Sequence, residues 1–110
     1  MNSHTCSSRA ELEFAEAGLR DALTEEFRRN AKSDAMSLER MLVHIVNMNE
    51  AISTSPECHA NVVKRLEDFA TTTARMADRN PGAAGALTKA SGLLRAASAR
   101  LRAVNATQAA

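Results

Sequence analysis

The sequence predicts an all-α protein, an antiparallel up-down four-helix bundle, on three observations. Alanine and leucine dominate, at 22 and 10 of 110 residues against 4 Gly and 2 Pro, and both are strong helix formers. β-branched residues fall in no alternating run, so no strand pattern competes. Apolar residues recur three and four apart in four successive stretches, each parted from the next by capping or turn residues. A chain of this length suits a single domain and can bury roughly two thirds of its unfolded surface, enough for a core without staples. The domain is expected over residues 8–105, between a disordered tail at 1–7 and a frayed one at 106–110.

The first helix is expected over 9–29. Ser8-Arg9-Ala10-Glu11 reads as a capping box, and Leu12, Ala15, Leu19, Leu23 and Phe27 form the apolar stripe. Glu11, Glu13 and Glu16 come early and Arg28, Arg29 and Lys32 late, the order a helix dipole favours. Phe14 lies off the stripe with Ala10, Ala17 and Gly18, a smooth patch on which another helix could sit. Asn30 to Asp34 is the expected break. It holds no Gly or Pro, so a rival fold keeps one long helix over 9–53 and adds a helical hairpin. Such a rod is too long for the rest of the chain to cover, and that version requires a dimeric bundle.

The second helix, 34–53, is the most apolar. Leu38, Met41, Leu42, Ile45, Met48 and Ile52 make its core stripe, while Met36, Val43 and Val46 stand outside it. His44 flanks the stripe and is expected at its boundary, partly buried. Ser55 and Pro56 suit the start of the third helix, 56–79, which offers Val62, Leu66, Phe69, Ala70, Thr73, Met76 and Ala77 on one side. Asn80-Pro81-Gly82 should stop it. In the fourth helix, 83–104, Leu87, Leu94 and Leu101 repeat every seven residues, with Ala90, Ala97 and Val104 between them. A Leu/Ala seam lets two backbones approach closely.

Net charge is +1, from 14 basic and 13 acidic residues, which argues against a general polyanion binder. The balance is uneven, however. Beyond Pro81 the chain carries Lys89, Arg95, Arg100 and Arg102 and no acid. These four are the candidate polyanion contacts, although four charges are a thin footprint and argue against nucleic acid as the partner. Three Phe and no Trp or Tyr also leave few rings for base stacking. The simpler account puts the three arginines near the last helix's C-terminus, where cations suit the dipole.

Two cysteines make no disulfide framework and fit a reducing cytoplasm. No secretory signal or membrane-spanning run is visible. Arg outnumbers Lys 11 to 3 beside abundant Ala, a bias of GC-rich bacterial genomes.

No motif specifies chemistry. Glu-x-x-His, the dimetal bundle signature, occurs nowhere, and there is no Gly-rich phosphate loop or His-Glu-x-x-His. His44 and His59 lack the neighbours of a phosphotransfer histidine. In an up-down bundle the tail carrying His4 and Cys6 would lie near Cys58 and His59, all possible zinc ligands, or Cys6 and Cys58 could pair. The weightier reading is that they pack or sit idle. No catalytic, cofactor or metal residues are assigned, and no cofactor is expected.

The expected function is therefore a small, non-enzymatic protein–protein interaction module: an adaptor, a chaperone-like protein or a regulatory subunit. Met36, Val43, Val46 and Phe14 are the candidate partner contacts, and the partner is another protein or a second copy of this one. The alternatives are a nucleic-acid-binding regulator that uses the basic last helix and a secretion-associated bacterial helical protein.

Overall fold

In the computed structural model, α1 (Ser3–Ala22) leads through a short α2 (Glu25–Asn30) into α3 (Lys32–Thr54). Helix α4 (His59–Arg79) then passes through a 3-10 turn, Pro81–Ala83, into α5 (Ala84–Ala109). The structure describes the backbone of residues 3–54 and 59–109 and the side chains of 10–51 and 60–103. The described residues are helical almost throughout and contain no strand.

The four long helices pack antiparallel. Along the α3–α4 pair, Asp34 meets Arg79, Met41 meets Thr73 and His44 meets Phe69, so one numbering rises as the other falls. The same holds for α4 and α5, where the Ser91 hydroxyl donates to the Ala70 carbonyl and the Ser98 hydroxyl to that of Val63. Helix α1 lies against both α5 and α3. The bundle measures 46 × 20 × 19 Å.

Its core is made of the stripes read from the sequence. Leu12, Ala15, Leu19, Leu23 and Phe27 are buried, as are Leu38, Met41, Ile45, Met48, Val62, Leu66, Ala70, Thr73, Met76 and Ala77. From α5 come Leu87, Ala90, Leu94, Ala97 and Leu101, each wholly enclosed. Leu42 and Phe69 pack against this core half-buried.

The boundaries differ from expectation in instructive ways. Helix α1 begins at Ser3, ahead of the expected cap at Ser8 and within the stretch read as a tail, since nothing from 3 to 8 is a Gly or Pro that would stop it. No acid lies in its first turn, so the dipole argument for Glu11, Glu13 and Glu16 does not apply.

The helix expected to run unbroken to 29 is interrupted at Leu23–Thr24. There Thr24 adopts extended backbone (φ −77°, ψ 164°), and its hydroxyl accepts from the Phe27 N–H at 3.0 Å. Thr24 is thus the N-cap of α2, with Glu25 and Glu26 in the first turn and Arg28 and Arg29 in the last. A second break at Ala31 ends α2. These two breaks overturn the single rod over 9–53.

At the far end, α5 runs to Ala109, past the expected stop at 104 and through the residues read as frayed. Arg95, Arg100 and Arg102 are consequently mid-helix, and the dipole account given for them fails. The Asn80-Pro81-Gly82 stop is where the sequence put it, with α4 ending at Arg79. Ser55, Pro56 and Cys58 lie outside the described residues.

Candidate functional site

Three hydroxyls of the described residues lie buried inside the bundle. Thr73 is wholly buried, and its hydroxyl donates to the Phe69 carbonyl at 2.7 Å, with Met41 Sδ at 3.7 Å. Ser91 and Ser98 are buried where α5 meets α4. Their hydroxyls donate to the Ala70 carbonyl at 2.8 Å and to Glu67 Oε2 at 3.2 Å. Each satisfies itself on the neighbouring backbone or acid, as buried hydroxyls must. Sequence reading included Thr73 in the α4 stripe but passed over both serines. Their signal was their place in phase with Leu87, Leu94 and Leu101.

At one end of the bundle Asp34 joins α3 to α4. One carboxylate oxygen accepts from Arg79 Nη2 and the other from Asn80 Nδ2, both at 2.8 Å, and Asn80 Nδ2 also reaches the Met76 carbonyl. The hydrogen bond from Arg79 holds the Asp34 carboxyl below its ordinary value, against an opposing effect of burial. Above this clamp lies an open cleft of about 550 Å³ lined by Phe27, Asn30, Arg79, Asn80, Pro81 and neighbouring small residues. A smaller groove of about 240 Å³ lies farther along α3 and α4, between His44, Asn47 and Met48 on one side and Asn61, Val62 and Arg65 on the other. His44, expected to be partly buried, is exposed; its ring stands 5.9 Å from that of Phe69 at a tilt of 42°. The reason is that Met41, Ile45 and Met48 fill the inward positions of α3, leaving His44 on its outer edge.

Among the described residues, no three His, Cys, Asp or Glu side chains come close enough to hold a metal ion. The side chains of His4, Cys6, Cys58 and His59, weighed as zinc ligands or a disulfide, lie outside the described residues. No helix among those described is long and apolar enough to cross a membrane.

The four basic candidates on α5, Lys89, Arg95, Arg100 and Arg102, are all exposed. They do not form a free basic stripe. Arg102 is bonded to Glu67 of α4, and Arg95 shares a surface depression with Glu67 and Asp68. Acids absent from this stretch of sequence arrive from the adjacent helix, which lowers the local potential available to a polyanion.

The apolar candidates behave differently. Phe14 (57%), Met36 (53%), Val43 (61%) and Val46 (42%) stand well exposed. They are the large hydrophobic side chains that the described surface leaves to solvent. They fall into two groups. Met36, Val43 and Val46 share the outer side of α3, spaced seven and three residues apart, opposite Leu38, Met41 and Ile45.

Phe14 is one turn before Gly18 on α1, on the flank turned to α5. Gly18 itself is buried, and a Cβ there would stand 2.6 Å from Leu93 Cδ1 and 3.5 Å from Ala90 Cα. The helix seated at Gly18 is thus the protein's own α5, while Phe14 itself stays exposed. The α3 face is the larger unshared apolar feature. The chain matches no family model, no curated protein and no solved structure in the comparisons made.

Proposed function

We propose that this protein is a non-catalytic helical interaction module, an adaptor, chaperone-like protein or regulatory subunit, that docks through the outer face of α3. One observation carries the reading: Met36, Val43 and Val46 are exposed on a helix whose opposite face already fills the core. Single exposed apolar residues are ordinary. Three on one face of one helix, two of them β-branched, make a surface that gains free energy when covered. Methionine adds adaptability to such a face. The scarcity of cysteine favours a cytoplasmic setting.

The test is capture of native partners by the intact protein, compared with Val43→Asp and Val46→Asp. Because both positions are exposed, each variant should keep its fold within about 0.5 kcal/mol of the parent. Each should lose the captured partner, since an unpaired carboxylate would have to be buried at the contact. Capture that survives both substitutions overturns the reading.

A further inference from the structure

Three basic residues, Arg28, Arg29 and Lys32, stand exposed within residues 24–33, where Phe27 is the one buried side chain. Each of the three lies within three positions of a single buried residue. The other basic residues between 20 and 100 each lie within three positions of two or more. The backbone has already left helical geometry on both sides of α2, at Thr24 and again at Ala31 (φ −134°, ψ 60°). The cleft of about 550 Å³ between α2 and residues 81–86 leaves that flank of the short helix open.

A protease takes its substrate as an extended strand, so residues on both sides of the cut must first leave the helix. In a long helix this draws several core side chains into water. At α2 it draws out one. Besides Phe27, the segment is tied by the Thr24 cap and by the solvent-exposed pair of Arg28 and Glu39, both modest in strength. We infer that α2 is a cleavage site in the folded protein: a protease specific for basic residues cuts after Arg28, Arg29 or Lys32, and the two fragments stay assembled. Water is added across the peptide bond, leaving a carboxylate on the basic residue and an ammonium on its successor. The first fragment is retained because Leu12, Ala15 and Leu19 are wholly enclosed and α1 lies against both α5 and α3. None of this requires the outer face of α3 or a partner bound there.

The nearest rival is Arg79, at the end of α4. Its guanidinium is bonded to Asp34, and unwinding there would pull on Met76 and Ala77, both buried.

Limited digestion of the full chain in native buffer at low trypsin, read by intact mass, tests the assignment. The first cut between Leu12 and Leu101 should fall after Arg28, Arg29 or Lys32. The two fragments should elute together in size exclusion and part only in urea. Thr24→Ala removes the cap and should speed the cut about three- to tenfold, with Thr24→Ser close to the parent. Gly92→Ala, an added methyl on the exposed side of α5, should leave the rate unchanged, whereas a cut that waited on global unfolding would slow about two- to fivefold. A first cut after Arg79 or within a long helix overturns the inference, as does a chain that stays whole under conditions that digest its urea-unfolded form. Fragments that part without urea overturn the assembled product. A Thr24→Ala rate equal to the parent's, or a slowed Gly92→Ala rate, shows that α2 does not open by itself and overturns the site as well.

Discussion

The α4–α5 contact and α3 are built from different materials, and each shows what the other lacks. Along α5 the inward positions alternate Leu with Ala or Ser, and the small residues let the backbone of α4 come near enough for Ser91 to reach the Ala70 carbonyl. That pair closes on itself, and its outer surface carries no large exposed hydrophobe among the described residues. Helix α3 has larger side chains on both faces. It is held by its core stripe and by polar ties at and near its start, Asp34 to Arg79 and Asn80, and Arg28 to Glu39. One contact is finished within the chain, whereas α3 has apolar surface to spare.

The sharpest way to break the contrast is to enlarge one of the small inward residues of α5, here on its side toward α1. Ala90 is fully enclosed, with its Cα facing Gly18 across the α1–α5 contact. Ala90→Leu should destabilise by about 2–3 kcal/mol in urea unfolding followed by circular dichroism, because two backbones must separate to admit the added carbons. Adding a single carbon on the outer side of α3, Val43→Leu, should leave the midpoint nearly unmoved, because that side chain already stands in solvent.

The polar tie gives the next effect. Asp34→Ala should cost about 1–2 kcal/mol at neutral pH, reduced from the value for a buried charged hydrogen bond because Arg79 is largely exposed. The folded carboxyl titrates below its ordinary value of 3.8. Its contribution is therefore complete above the unfolded value and is lost as pH falls through the lower folded one. Stability of the parent and of Asp34→Ala, measured by urea titration from pH 7 down, should converge at the acid end.

The smallest effect is a gain. Gly92 lies within α5, exposed, and a Cβ there would meet nothing within 4 Å. Gly92→Ala should stabilise by about 0.5–1 kcal/mol through helix propensity alone, seen as a higher thermal midpoint.

Much of this was legible in the sequence, for reasons that differ by region. The heptads of Leu87, Leu94 and Leu101 and the Asn80-Pro81-Gly82 stop are local signals that tertiary contacts had no cause to overrule. The exposed set Phe14, Met36, Val43 and Val46 follows from counting apolar positions against the number a single stripe can bury.

What stayed hidden was hidden by phase. Leu19, Leu23 and Phe27 keep helical spacing straight across the break at Thr24, so periodicity alone reads one helix where the structure has two. Thr24 followed by Glu25 and Glu26 was the available sign, a capping residue before two acids. The pairing of Arg102 with Glu67, and the placing of Arg95 beside Glu67 and Asp68, could not be read along the chain, because these residues are about thirty positions apart and meet only through the antiparallel turn.

Helix α2 has one further consequence. It is six residues long, too short to persist on its own, and Phe27 is its only buried side chain. That ring is the hasp of the segment. Lifting that ring would let α2 exchange its amide hydrogens with solvent while the four long helices stay folded. Arg28 leaves with it and releases Glu39. The charge at the middle of the outer face of α3 is thus set by a latch on the neighbouring segment.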